Sequence, residues 1–361
     1  MWSDEQEALR QAVRTLLSRE SSPAAVRTAV ELPRGYDEKV FSTLCRQIGV
    51  SGLAVPEDFG GAGGSLLDAC LVLEELGRAL TPAPVLGSAV LAAQALLASE
   101  DDTACRRLLP GIAEGSSIAT LALAGPEGRW DPDAPPCTAT ADGVLHGNAH
   151  YVLDGDHADI VLVAADTPDG VGLFELDLGD GVRRAHTPTM DLTRRLASIE
   201  LTGAPGYRIG SGDAAPALRR ARDLACVALS FEQVGAAARC LELTVEYTKN
   251  RVQFGRPIGG FQTLKHRMAD AYVLVETARS AAWAAAQAIA DEQALAERAA
   301  IAKTYCSEAF HQVAAEMIQL HGGIAITWEH DAQLYFKRAH GSAQLFGQPR
   351  DFVAELASCV A

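Results

Sequence analysis

Five short runs decide the fold: Ser117–Gly125 (SIATLALAG), Val144–Gly155 (VLHGNAHYVLDG), Asp159–Ala165 (DIVLVAA), Val171–Leu178 (VGLFELDL) and Leu196–Gly203 (LASIELTG). Each is short and apolar or alternating, and turn residues such as Ala141-Asp142-Gly143 and Gly179-Asp180-Gly181 separate them. No helical pattern interrupts the series. From Ser116 to about Gly212 the chain therefore predicts one antiparallel β barrel or sandwich rather than alternating βα units.

On the N-terminal side the pattern is helical to about Pro110. Ser3 with Gln6 forms a capping-box signature, and Leu9, Val13, Leu16 and Leu17 follow at helical spacing. A second helix spans about Asp37–Gln47 and ends before Gly49, Ser65 with Asp68 opens a third through Glu75, and Ala83–Ser99 reads as a fourth. On the C-terminal side the stretches 215–250, 260–290, 294–320, 329–341 and 350–359 are long, rich in Ala and Leu, and apolar on broad faces. Such helices bury those faces against each other or another subunit. The expected architecture is α+β and multidomain. It has an N-terminal helical domain (1–114), a middle antiparallel β domain (115–212) and a C-terminal helical domain of four-helix type (213–361).

The 361 residues are 48% hydrophobic and 21% charged, enough for a sizeable core without a disulfide or metal staple. Lys plus Arg 31 against Asp plus Glu 46 gives −15, which argues against nucleic acid or an anionic membrane as partner. The eight cysteines (Cys45, Cys70, Cys105, Cys137, Cys226, Cys240, Cys306 and Cys359) are scattered, without CxxC or zinc-type spacing, as in a reduced cytoplasm. The N-terminal MWSDEQEALRQAVRTLL carries acids at once and lacks the apolar region of a signal peptide. No run approaches the ~18 apolar residues of a membrane span.

The common catalytic motifs are missing. The glycines at 60–64 follow no buried strand and lack the G-x-G-x-x-G and GK[ST] patterns, so they read as a turn. His321, Glu329, His330 and Asp331 lack metal-ligand spacing, there is no G-x-S-x-G elbow, and Cys226, Cys240 and Cys306 lie in apolar helical runs.

Two segments of the last third carry more. In Tyr247–Gln262 (YTKNRVQFGRPIGGFQ) a helix ends in a basic cluster, turns on glycines and Pro257, and restarts at Phe261-Gln262. Lys249 and Arg251 complement a helix C-terminus; equally, they offer an anion site with a guanidinium for a diphosphate, an aromatic for a ring and an amide. In Ile318–Asp331 (IQLHGGIAITWEHD) a helix ends on two glycines that permit positive φ and close backbone approach. That is a plain C-cap, or a turn whose free N–H groups hold an anion.

Taken together, these residues resemble the acyl-CoA dehydrogenase family, whose pattern is YxxxRxQFGxPIxxFQxxKHxxAD, then QxHGGxGxxxE, then Tyr/Phe-x-Arg-x-Ala. Here that is Tyr247–Asp270, Gln319–Glu329 and Tyr335-Phe336-Lys337-Arg338-Ala339, with Pro56–Leu80 (PEDFGGAGGSLLDACLVLEELGRAL) as the N-terminal hallmark. The resemblance implies an FAD enzyme that removes a proton from Cα and a hydride from Cβ of an acyl-CoA or other acyl thioester. It also implies a dimer or tetramer, homo- or hetero-oligomeric, that passes electrons to an acceptor. By it Arg251, Gln253 and Phe254, joined by Gln262, Gln319, Gly322 and Gly323, reach the adenosine diphosphate half of an FAD lying across a subunit boundary.

The departures are as informative. The family's two locations for the α-proton base fall near Ala225 and Gly347, neither a carboxylate, so the catalytic residue is unassigned; a shift in register would offer Asp223 or Glu232. Glu329 belongs to the helix-start pattern. Ala124-Gly125-Pro126 and Arg129-Trp130-Asp131 replace the usual Thr-Glu-Pro and Gly-Ser-Asp, and Tyr151 and Leu153 replace a Trp and a Thr beside the flavin. The expectation is a FAD-dependent acyl-thioester dehydrogenase, working alone or as one chain of a hetero-oligomer, as in some steroid side-chain degraders. A non-catalytic partner subunit, or an enzyme redirected to carrier-bound intermediates, are the alternatives.

Overall fold

A computed structural model describes residues 3–360; Met1, Trp2 and the side chain of Cys359 lie outside the described residues. The N-terminal helices are α1 (Asp4–Glu20), α2 (Pro23–Ala29), α3 (Glu38–Ile48) and α4 (Leu66–Ala79). Local chemistry sets their ends. Ser3 with Gln6 and Ser65 with Asp68 both close capping boxes, Asp37 accepts from the first-turn amides of α3, and Gly49 ends that helix in the left-handed conformation. The expected fourth helix begins as a π-helix (Val85–Ala92) before α5 (Ala93–Ala98), and α6 (Asp102–Glu114) continues past Pro110. The Gly-rich loop is a tight turn, in which a Cβ on Gly61 would stand 2.0 Å from the Val55 carbonyl oxygen.

The middle strands are β1 (Ala119–Ala122), β2 (Cys137–Ala139), β3 (Val144–Leu153), β4 (Ile160–Thr167), β5 (Gly170–Leu176), β6 (Val182–Thr187) and β7 (Leu196–Ile209). They form a seven-stranded sheet in the order β1-β4-β2-β3-β7-β5, with β6 on β7, and β5 pairs back onto β4 to close a barrel. Most pairs are antiparallel, as expected, but β1 and β2 both run parallel to β4. Inward side chains such as Leu145, Val161, Val163 and Ile199 form a core separate from the helices.

The C-terminal part opens with α7 (Ala215–Asn250), 36 residues and roughly 54 Å long at ~1.5 Å per residue. A two-stranded hairpin, β8 (Val252–Gln253) and β9 (Arg256–Pro257), leads to α8 (Gln262–Gln287), α9 (Glu292–His321), α10 (Ala332–Gln344) and α11 (Pro349–Val360). By length and hydropathy α7 could cross a membrane, but its most apolar window is 83% buried, so it is the central core helix. It crosses α4 backbone to backbone: a Cβ on Gly235 would stand 1.8 Å from the Glu74 carbonyl oxygen, and one on Gly77 2.1 Å from that of Glu232. Glycine at both positions lets the two helical parts share one core. Buried Glu75 accepts both Nε (2.8 Å) and Nη2 (2.7 Å) of Arg14, tying α1 to α4, and Glu74 pairs with Arg279 of α8.

Candidate functional site

The seven residues expected to hold a nucleotide lie on segments that meet at one end of the C-terminal bundle. Tyr247 at the end of α7 stacks on His321 at the end of α9, ring centroids 4.3 Å apart, and its hydroxyl donates to the His321 carbonyl at 3.2 Å. That contact brings the hairpin after α7 beside the glycine turn after α9. In the hairpin Gln253 pairs with Arg256, and both turn residues, Phe254 (φ 52) and Gly255 (φ 76), have the positive φ of a type I′ turn. The turn lifts Phe254 into the open at 90% exposure, edge-on to Phe261, while Arg256 lies over the Phe261 ring at 4.0 Å. Arg251, Gln253, Gln262 and Gln319 are exposed. Gly322 (φ 68) and Gly323 face open space, with nothing within 4 Å of an added Cβ. Ile326 and Trp328 project beside them, Trp328 under the Lys337 ammonium at 4.4 Å.

A second feature is a cleft of about 260 Å³ between the barrel and α10, walled by Trp130, Tyr151, Met190, Leu196, His340 and Leu345, with Arg194 and Lys337 as its cations. Behind it lies a buried charge cluster. Arg338 donates to Glu232 (2.9 Å) and to the Thr193 carbonyl (2.7 Å) and pairs with Asp191 (3.1 Å), and Arg194 pairs with the same Glu232. Burial pushes the Arg194 guanidinium below its ordinary pKa, opposed by Glu232, and its Nε has no hydrogen-bond partner among the described residues. Tyr151 lines the cleft; Leu153 is buried in the helical core against Gly87 of the π-helix.

The two positions where a base is expected are closed. Ala225 is fully buried in α7, and Gly347 (φ 120) sits against the Phe352 ring of α11. A groove of about 420 Å³ is lined by Gly347 together with Arg129, Asp133, Arg219 and Arg222, and by the buried rings of Trp130, Phe346 and Phe352. The alternative carboxylates are engaged. Burial raises Asp223 to about 6 against the pull of adjacent Arg222 (3.3 Å), and Glu232 is shared between two guanidiniums. Glu329 is exposed. Sequence reasoning passed over Arg194, Arg222, Phe352 and Lys303; only the placing of a charge inside an apolar helical run, as at Arg222 and Lys303, hinted at two of them. Lys303 is wholly buried, donating to Ser307 Oγ (3.2 Å) and the Ala343 carbonyl (3.0 Å), and burial lowers its amine to about 8. Among the described residues no three His, Cys, Asp or Glu side chains form a metal-sized group.

An FAD fits these two features unequally. The bundle end offers the Arg251 guanidinium, an uncovered aromatic ring and glycines with open space above them, a donor set for a nucleotide's diphosphate. The cleft, below the ~300–1,000 Å³ of pockets that enclose drug-sized ligands, does not hold a flavin ring and an acyl chain together.

Residues 3–116 match the acyl-CoA dehydrogenase N-terminal domain, and residues 217–348 the acyl-CoA dehydrogenase C-terminal domain. The chain is 45% identical over 354 residues to acyl-CoA dehydrogenase IpdE2 of Mycolicibacterium smegmatis, covering 98% of both chains. It is 45% identical over 355 residues to IpdE2 of Mycobacterium tuberculosis, covering 98% of this chain and 97% of that one. It superposes on a chain of the ChsE4-ChsE5 complex from Mycobacterium tuberculosis with TM-score 0.90 and 29% identity, over 99% and 97% of the two chains.

Proposed function

Because the chain belongs to the acyl-CoA dehydrogenase family, flavoprotein oxidoreductases acting on CH–CH donors, we propose that it is one subunit of a hetero-oligomeric acyl-CoA dehydrogenase and lends its bundle-end cradle to an FAD whose ring lies on the partner chain. One observation carries this reading. Arg251 lies roughly 39 Å along α7 from Ala225, at ~1.5 Å per residue, farther than an extended FAD reaches, and it faces outward. The cradle therefore serves a cofactor that reacts in another chain. The likeness to a chain of the two-protein ChsE4-ChsE5 complex supports an unlike partner.

When bound, FAD supplies the acceptor for the hydride leaving Cβ of an acyl thioester. The residues of this chain hold its nucleotide half. Arg251 presents a planar fork of donors to the diphosphate, the Gly322-Gly323 backbone approaches without a side chain between, and Phe254 lies against a ring. Gln253, Gln262 and Gln319 add amide hydrogen bonds. The α-proton base comes from the partner, since Ala225 and Gly347 have no titratable side chain. We take the units as 1–114, 115–212 and 213–361. We place the protein in a reducing cytoplasm, consistent with seven free, buried cysteines among the described residues.

The test is to purify the chain alone and co-expressed with the proteins encoded beside it, and to record the visible spectrum before and after adding acyl-CoA. A yellow complex with one FAD per two chains, bleached by an acyl-CoA, is expected. Full flavin occupancy and bleaching in the chain alone would exclude an unlike partner.

A further inference from the structure

We propose that α11 is an internal plug that keeps acyl thioesters out of the groove that Gly347 lines, with Arg222 and Glu355 as its latch. The inference rests on reading that groove as the thioester entrance.

The plug is a ring and the latch an ion pair. Phe352 is buried, its edge 3.0 Å from where a Cβ on Gly347 would stand, so the ring occupies the ground a side chain at position 347 would need. The Arg222 guanidinium lies 5.4 Å above that ring, and its two terminal nitrogens donate to the two Glu355 oxygens at 3.2 and 3.1 Å. One of them also reaches the Trp130 carbonyl at 3.5 Å, and Trp130 stacks edge-on against Phe346 at 5.1 Å. Helix α7, the loop after β1 and helix α11 are thus joined along the groove that Gly347 lines.

The charges of the groove reinforce this. A thioester of coenzyme A brings several phosphates, and the lining offers three arginines to meet them. Each is paired with an acid of the same chain: Arg129 with Glu127, Arg219 with Asp133 and Arg222 with Glu355. At Arg219 and Arg222 a phosphate competes with a carboxylate already in place, whereas the exposed Arg129 is open to one. The carboxylates of Glu127, Asp133 and Glu355 are half or more exposed, so each pair is weak by itself, and the buried Phe352 ring supplies most of the hold on α11.

The experiment titrates octanoyl-CoA, with free coenzyme A as headgroup control, into the full-length flavin-free chain by calorimetry. Wild type is expected to show no saturable site. The double variant Phe352→Ala/Glu355→Gln is expected to gain one site per chain, at least tenfold tighter than any wild-type binding. A wild-type site at one per chain, or a double variant that melts cooperatively yet binds nothing, overturns the plug. Should that variant not fold, Glu355→Gln alone is followed by hydrogen exchange over residues 349–357. Faster exchange supports the latch; unchanged exchange overturns it. No flavin or partner enters these measurements, so their failure leaves the shared-cofactor reading standing, and failed FAD retention in the complex leaves them readable.

Discussion

Replacing Arg251 with alanine is the sharpest test of the cradle, because the side chain is exposed and the backbone bonds around it are independent of it. The Arg251 N–H donates to the Tyr247 carbonyl at 2.8 Å, and its own carbonyl accepts from Ile258 at 2.8 Å. Alanine keeps both, so stability should move by no more than ~0.5 kcal/mol, the usual range for a surface change. A guanidinium bonded to a diphosphate contributes roughly 1.5–3 kcal/mol, the range for hydrogen bonds to charged groups. Arg251→Ala should therefore weaken FAD retention by about 10- to 150-fold, at 1.4 kcal/mol per decade. The assay is flavin fluorescence released on dilution of the purified complex, beside a thermal melt of the flavin-free chain. Arg256→Ala is the internal control. Arg256 lies over Phe261 and gives up only an exposed cation–π contact, ~0.5–1 kcal/mol. Equal FAD retention in wild type and Arg251→Ala, with matching melts, would refute the reasoning.

Three further outcomes concern the scaffold. Glu232→Gln leaves Arg194 and Arg338 buried around a neutral amide and should cost about 3–5 kcal/mol, the range for breaking a buried pair, read by urea unfolding; a loss under 1 kcal/mol would show the cluster to be solvated. Gly235→Ala forces α4 and α7 apart and should lower the melting temperature sharply or abolish soluble expression, whereas Gly323→Ala meets open space and should leave the melt unchanged. Lys303→Met should stabilise the chain at pH 7. The amine titrates near 8 in the folded chain against an ordinary 10.5, so ionisation there costs roughly 3 kcal/mol at 1.36 kcal/mol per pKa unit. The wild-type shortfall is complete below pH 8 and shrinks as pH rises toward 10.5, so the gap between variant and wild type in urea midpoints should narrow over that range.

What could be read in advance was whatever residues a few positions apart decide. Ser3 with Gln6, Ser65 with Asp68, and Asp37 before Gly49 mark helix ends, and the turns at Asp142-Gly143 and Asp180-Gly181 bracket strands, because those signals act within one turn of chain. The turn that gathers Tyr247, Arg251, Phe254 and Phe261 was legible for the same reason, since they fall in one short segment. The π-helix at Val85–Ala92 was not, since it shows the same apolar run as an α-helix. Nor was the parallel pairing of β1 and β2 with β4, which depends on the path of the connecting segments. The buried contacts behind the cleft and along the groove join residues far apart in sequence, Arg194 with Glu232, Arg222 with Glu355 and Trp130 with Phe346, and no spacing rule joins them. Leu153 shows the limit within a single strand. The resemblance set it with Tyr151 beside the flavin, yet the strand bulges at Tyr151 (φ 56) and Gly87 of the π-helix closes over Leu153.

The hairpin after α7 holds a phenyl ring in a left-handed backbone, in open water, and Ile326 and Trp328 of the turn after α9 are exposed as well. Soluble monomers rarely keep so much greasy surface uncovered, and a lone copy would stick to its own kind or to chaperones. If the cover is the unlike chain proposed above, a cell would have to synthesise the two in matched amount and at the same time, and surplus copies should be cleared soon after translation.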